Sequence, residues 1–221
     1  MKHALVIGAS GGIGSAISTE LSARGYGVTG LSRSADGLDV TDEASVKAAL
    51  SDVNQPMSLI FVATGALEPG GHRPEKALRE VTPAALEAAF RINAIGPLLV
   101  LKHSLHLLPK NAPSVFAALS ARVGSIGDNG IGGWHSYRAS KTALNQLIHG
   151  AAIELKRTHK QASAVCLHPG TVETSFTEKY ASRHKTVSAP QAAANLVNVI
   201  EGLTPAQSGG FFDYAAQKIP W

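Results

Sequence analysis

Short apolar runs recur along the 221-residue chain at intervals that leave room for a helix between them. "HALVIG" (3–8) is apolar at consecutive positions and leads into glycines, the pattern of a strand buried on both faces. "GIGSAISTELSARG" (12–25) carries apolar residues at helical spacing and stops at a glycine, and "YGVTGLS" (26–32) returns to a strand pattern. Further strands are expected at "MSLIFVA" (57–63), "SVFAALS" (114–120) and "SAVCLHPG" (163–170), with helical patterns between them. Two helical stretches, 82–108 and 136–158, are long and apolar on more than one face.

This alternation predicts an α/β fold: a single doubly wound, mainly parallel sheet with helices on both faces, right-handed crossovers, and ligands at the carboxyl ends of the strands. The run "LDV" (38–40) reads as a third strand. It follows the second so closely that Arg33–Gly37 leave no room for a crossover helix, so that face of the sheet is expected to be trimmed. No repeat, linker or low-complexity tract divides the chain, and its length fits one domain over 1–221. "EPGGHRP" (68–74) reads as an exposed loop. The surplus apolar surface of the two long helices predicts a homodimer or homotetramer built through 82–108 and 136–158.

Composition narrows the function. Hydrophobic residues at 44%, charged residues at 16% and 22 glycines suit a folded domain with tight loops. The net charge of +4 is spread without a Lys/Arg run that would follow a phosphate backbone, which argues against nucleic acid. His103 and His106 lie in an apolar segment without Cys or carboxylate neighbours, so no metal is expected. Cys166 is the only cysteine, which excludes an internal disulfide and suits a reducing compartment. The apolar run near Met1 is too short for a signal peptide or a span, so the expected location is the cytoplasm, with no membrane partner.

Two motifs carry candidate chemistry. "GASGGIG" (8–14) falls at the end of the first strand and the start of the first helix, where glycines let the backbone approach a pyrophosphate favoured by the helix N-terminus. "SYRASK" (136–141) places Tyr137 and Lys141 four residues apart on one helix face, an arrangement also found on solvated surfaces.

The spacing Gly8-x3-Gly12-x-Gly14 together with Tyr137-x3-Lys141 resembles the short-chain dehydrogenase/reductase family. The resemblance extends through "LDVTDEAS", "FRINAIGPLLVLKHSL" and "HPGTVETSF", and the segments "RVGSIGDN" and "GGFFDYAAQKIPW" resemble its C-factor-like branch. It implies a Rossmann-type domain that passes a hydride between a nicotinamide and the carbonyl or alcohol carbon of a small substrate. Tyr137 would exchange the matching proton. A phenol with pKa near 10 needs a neighbouring cation to favour phenolate, and Lys141 would be that cation while contacting the nicotinamide ribose. Asn93 would hold a water linking Lys141 to solvent. Cofactor contacts are implied for Gly8, Ser10, Gly11, Gly12, Ile13, Gly14, Gly65, Pro169 and Gly170, for Asp39 and Val40 at the adenine, and for Val172 and Thr174 at the carboxamide.

The chain departs from the family pattern in two places. "LSARVG" sets Ala121 where the catalytic serine stands, leaving Ser120 and Ser125 as the two hydroxyls at hand; "FVATGAL" has Val62 and Ala63 in place of two asparagines, though Gly65 matches. After the second strand, Ser32 and Arg33 suit a 2′-phosphate, which favours NADP(H) and leaves NAD(H) as the alternative. Ala121 motivates a second reading, a cofactor-binding regulatory or signalling protein with weak or no catalysis. A methyltransferase on a similar opening leaves Tyr137 and Lys141 unexplained. Substrate choice is expected to rest on a loop near 174–189, whose polar, basic "SFTEKYASRHKTVS" reads as a lid.

Overall fold

Six strands, β1 (His3–Ile7), β2 (Gly27–Leu31), β3 (Leu59–Val62), β4 (Ser114–Leu119), β5 (Ala162–His168) and β6 (Phe211–Asp213), form one parallel sheet in the order β2-β1-β3-β4-β5-β6. The computed structural model describes residues 1–174 and 186–221. Every residue of β3, and Ala4–Ile7 of β1, is buried, as their unbroken apolar runs predict for central parallel strands.

Helices cover both faces. On one, α1 (Gly12–Ala23) and α7 (Ala189–Gly202) close over Ala4, Val6, Phe61, Val165 and Leu167. On the other, α3 (Glu43–Ser51), α5 (Gly96–Ser104) and α6 (His135–Leu155) close over Leu5, Ile7, Ile60, Phe116 and Cys166. α4 (Pro83–Phe90) packs on α6, and its start is fixed by the Thr82 hydroxyl accepting from the Ala85 amide, with proline in the first turn. Cys166 is 1% exposed, and burial pushes its thiol up to about 12.

The expected strand at 38–40 is absent. After the short α2 (Arg33–Asp36), Gly37 takes a left-handed φ of 69° and ends the helix. The Asp39 carboxylate then accepts from the Thr41 amide and hydroxyl, turning the chain, while Leu38 and Val40 face the core instead of a ladder. α3 supplies the crossover from β2 to β3, so that face of the sheet is not trimmed. β6, too short for the sequence pattern to reveal, completes the sheet.

The apolar stretch 82–108 is one helical path of changing pitch: α4, a π turn over Arg91–Ile95, α5, and a 3-10 turn over Leu105–Leu107. Pro97 has no N–H to bond back to the Asn93 carbonyl, and the helix widens where that bond is missing. Pro83–Leu107 is long and apolar enough to cross a membrane by length and composition. Here its Ala94, Val100, Leu101 and Leu107 join the core beneath the sheet.

β1 is followed in the sheet by β2 on one side and β3 on the other, so the order reverses there. A crevice opens at such a switch point, outside the carboxyl ends of the strands.

Candidate active site

A cavity of about 340 Å³ occupies that crevice. Its walls come from the start of α1 (Gly11–Gly14), the residues after β3 (Ala63, Thr64, Gly65), the end of β4 and the two residues after it (Leu119, Ser120, Ala121), the α6 side chains Tyr137 and Lys141, and the last residue of β5 with the segment after it (His168, Pro169–Val172 and Thr174).

The absence of side chains shapes one wall. Gly8, at φ 85°, turns the chain out of β1, and the Gly11 amide closes the turn on the Gly8 carbonyl at 3.0 Å. A Cβ on Gly14 would lie 2.1 Å from the Gly8 oxygen, and one on Gly12 would lie 2.8 Å from Thr174 Cγ2. Gly11 gives α1 no side-chain cap, so the helix meets the cavity with uncapped amides and the positive end of its dipole. Gly8 and Ser10 support this turn without lining the cavity.

Tyr137 and Lys141 are 7% and 3% exposed. The Lys141 ammonium donates to the Leu119 carbonyl at 2.9 Å and lies 5.9 Å from the Tyr137 ring centroid. Burial pushes Lys141 down to about 8 and holds the Tyr137 phenol well above its ordinary value. The cation was expected to favour phenolate; burial is the larger effect here, and Tyr137 keeps its proton.

Asn93 sits in the π turn, fully buried, and does not line the cavity. Its Oδ1 accepts from the Ala66 amide at 2.9 Å, and its Nδ2 donates to the Ala66 carbonyl at 2.9 Å and to Ser140 Oγ at 3.2 Å. Ser140 Oγ in turn donates to the Tyr137 carbonyl. A Cβ on Gly65 would lie 3.1 Å from Asn93 Oδ1 and 3.3 Å from Lys141 Nζ, so these three residues meet at one point.

The two serines separate. Ser120 lines the cavity, but its hydroxyl donates to Asn145 Oδ1 at 2.7 Å. Ser125 is 1% exposed, lies outside the cavity lining, and accepts from the Asp128 amide as a turn serine. Ala121 faces the cavity beside them.

Ser32, Arg33, Asp39 and Val40 lie beyond the cavity, past the end of β2. Ser32 caps α2 by accepting from the Ala35 amide, and its own amide donates to Asp36 Oδ2 at 2.7 Å. Arg33 is exposed. Hydrogen bonds from Thr41 hold the Asp39 carboxyl below its usual range. Val40 is buried against Gly96.

Thr64, Leu119, His168 and Thr171 on the cavity wall were not singled out from the sequence, and two of them carry polar atoms left open. Thr64 Oγ1 and His168 Nδ1 are buried with no hydrogen-bond partner among the described residues. Burial, with Arg122 adding to it, pushes His168 down to about 4, so its ring is neutral at neutral pH. Their signal was positional, since Thr64 falls just past the carboxyl end of β3 and His168 is the last residue of β5. Most of the expected 174–189 loop, residues 175–185, lies outside the described residues. Its flanks are joined where Val172 pairs with Val187 and the Glu173 amide donates to the Val187 carbonyl.

A doubly wound parallel sheet with a glycine-walled cavity at its switch point defines a Rossmann-type protein. Residues 2–185 match the family described as short chain dehydrogenase, and the chain belongs to that family of oxidoreductases. It is similar to C-signal of Myxococcus xanthus, 37% identical over 145 residues covering 66% of this chain and 84% of that protein. It is also similar to a 1-hydroxy-2-glutathionyl-2-methyl-3-butene dehydrogenase of Rhodococcus sp. (strain AD45), 33% identical across the whole of both chains. Among solved structures, the NADPH-bound carbonyl reductase from chicken fatty liver superposes with a TM-score of 0.85 at 22% identity, covering 100% of this chain and 99% of that one.

Proposed function

We propose that this protein is an NADP(H)-dependent oxidoreductase acting on a small carbonyl or alcohol substrate, with Tyr137 as the proton donor and acceptor assisted by Lys141. The observation that carries the reading is one cavity holding both side chains opposite a glycine cradle whose walls a Cβ would obstruct. The lining fits a dinucleotide: uncapped α1 amides for a pyrophosphate, and the unpartnered Thr64 Oγ1 and His168 Nδ1 for polar groups of the ligand. Gly8, Ser10, Gly11, Gly12, Ile13 and Gly14 hold the pyrophosphate end. Gly65, Pro169, Gly170, Val172 and Thr174 hold the nicotinamide end, and Ser32, Arg33, Asp39 and Val40 the adenine end. NADP(H), when bound, supplies or receives the hydride.

In the reducing direction the Tyr137 hydroxyl gives its proton to the carbonyl oxygen, a step for which a phenol protonated through the neutral range is suited. Lys141, still largely charged below pH 8, stabilises the negative charge left on the phenol oxygen. Asn93 fixes the loop after β3 against α6, keeping Gly65 and Lys141 in contact and leaving its region of the π turn for a water that reaches Lys141. Ser120 is the hydroxyl on the cavity wall, and Ser125 acts through the turn that follows it.

A homodimer or homotetramer through 82–108 and 136–158 belongs to the same reading. Ile95 at 44% and Ile153 at 56% exposure support it, along with the surface hollow between Leu86, Phe90 and Ile95. Sedimentation of the purified chain tests it. A cytoplasmic site of action fits the reduced, sealed thiol.

The test of function is NADPH oxidation over a panel of aldehydes, ketones and quinones, with cofactor binding followed by fluorescence. Turnover by the wild type that Tyr137→Phe abolishes supports the reading. Ala121 in the cavity favours a second one, a cofactor-binding regulatory protein with weak or no catalysis, in keeping with the relative called C-signal. Binding without turnover, regained only in Ala121→Ser, selects that second reading.

A further inference from the structure

The entry to α6 is held by a residue from a distant loop. Gly132, Gly133 and Trp134 all have left-handed backbones, at φ 70°, 64° and 50°, and Trp134 contributes no side-chain cap to the helix. A tryptophan at positive φ is an outlier that persists only where its surroundings fix it. Glu75, on the loop between β3 and α4, does the fixing. Its backbone carbonyl accepts from the Trp134 amide at 2.6 Å. Its carboxylate accepts from the Ser136 amide at 3.1 Å and from the Ser136 hydroxyl.

This carboxylate is unusual for its burial. Glu75 is 3% exposed, and no salt bridge reaches it among the described residues. Burial pushes its pKa up, but the hydrogen bonds from the Ser136 hydroxyl and amide and from its own amide, with His135 nearby, together outweigh burial and hold it below its ordinary value, so it is charged. A buried carboxylate outside any ion pair is retained where its acceptor capacity is used. Here it satisfies the first-turn amide of α6 that the chain's own cap leaves open, and its charge faces the positive end of the helix. Ser136 precedes Tyr137, and Glu75, Ser136 and Tyr137 border one small hollow with Ala85 and Ala89 of α4.

We propose that Glu75 is a positioning residue: its buried carboxylate is the side-chain cap of α6, supplied in trans from the loop after β3, and it sets where the Tyr137 hydroxyl stands in the cavity. The proposal rests on the oxidoreductase reading of Tyr137. Glu75 lies outside the cavity lining, so its effect should reach the proton-transfer step without reaching cofactor binding.

The test compares wild type, Glu75→Ala and Glu75→Gln in kcat, KM, NADPH affinity, melting temperature and hydrogen exchange at amides 135–138. A glutamine carbonyl still accepts from the Ser136 amide, and its NH₂ can donate to the hydroxyl. Glu75→Ala is expected to lower kcat between about tenfold and a hundredfold, the scale of a misplaced catalytic group. NADPH affinity should stay within about twofold, and Glu75→Gln should recover most of the loss. Loss of NADPH affinity and of melting temperature in step with kcat, or no rescue by glutamine, overturns the proposal in favour of a plain structural brace. A wild type that binds NADPH but turns over nothing sinks the reading of Tyr137 instead. Hydrogen exchange then decides Glu75: faster exchange in Glu75→Ala alone keeps it as the cap, and equal exchange in all three proteins removes it.

Discussion

The Lys141 ammonium lies 5.9 Å from the centroid of the Tyr137 ring, and burial drives the proton affinities of the two groups apart, Lys141 down to about 8 and the phenol upward. Carbonyl reduction should therefore be level through neutrality and fall above about pH 8 as Lys141 loses its proton, since only the charged form favours the phenolate left behind. The kcat/KM of NADPH-driven reduction against pH checks this; a profile flat to about pH 10 removes Lys141 from the proton-transfer step.

The same burial sets a trade between stability and function. Below pH 8 Lys141 is charged in both folded and unfolded chains, and the full penalty of burying the charge is present. Between 8 and its ordinary 10.5 the folded chain loses the proton first, so stability rises with pH across that window. Lys141→Met should relieve about 3 kcal/mol of that penalty at neutral pH and lose about 1 kcal/mol with the bond to Leu119. A higher melting temperature in an inactive protein is the expected result, with the gain shrinking toward pH 10.5.

Ala121→Ser puts a hydroxyl on the cavity wall and should raise kcat, up to about a hundredfold if it donates to the substrate oxygen. Ser120→Ala leaves Asn145 Oδ1 without its buried donor and should cost about 1–3 kcal/mol of stability with a smaller effect on kcat. Ser125→Ala should leave turnover unchanged. Steady-state kinetics and thermal melts of the three variants separate these roles, and a large kcat loss in Ser125→Ala contradicts the assignment.

Gly14→Ala drives a Cβ into the backbone oxygen of Gly8, which cannot give way without opening the turn, and should cost roughly 3 kcal/mol or more. Gly12→Ala meets the Thr174 side chain, Cγ2 at 2.8 Å and Cβ at 3.3 Å, and no backbone atom. It should fold with little loss while weakening NADPH binding, which calorimetry and a chemical melt would show side by side.

If the exposed Arg33 guanidinium past β2 meets a 2′-phosphate, as proposed, Arg33→Ala should reduce NADPH affinity about tenfold and leave NADH affinity unchanged, since NADH offers only a ribose hydroxyl there. Equal losses for both cofactors contradict the preference.

Much of this was legible in the chain because local pattern and tertiary role coincide. The central strands bury both faces, so β1 and β3 read as unbroken apolar runs, and the glycines at 8–14 stand where a tight turn has to be. At 38–40 the two diverge. Leu38 and Val40 alternate like a strand because they are buried, while Gly37 and the Asp39–Thr41 bonds turn the backbone away from a ladder. β6 is three residues, too few to carry a period. Ser120 and Ser125 were indistinguishable because β4 ends at Leu119, where alternation no longer says which way a side chain points. Glu75 was invisible because its partner is 61 residues away.

Cys166 gives the molecule a gauge of its own opening. It is the chain's one thiol, it lies in β5 hydrogen-bonded to β4 and β6, and it is 1% exposed. Its side chain packs between the sheet and α6, so a thiol reagent can reach it only when that layer opens, and there is no second sulfhydryl to blur the count. The rate at which the native protein takes up such a reagent therefore times the opening of that layer, in every variant proposed above, without any label being engineered into the chain.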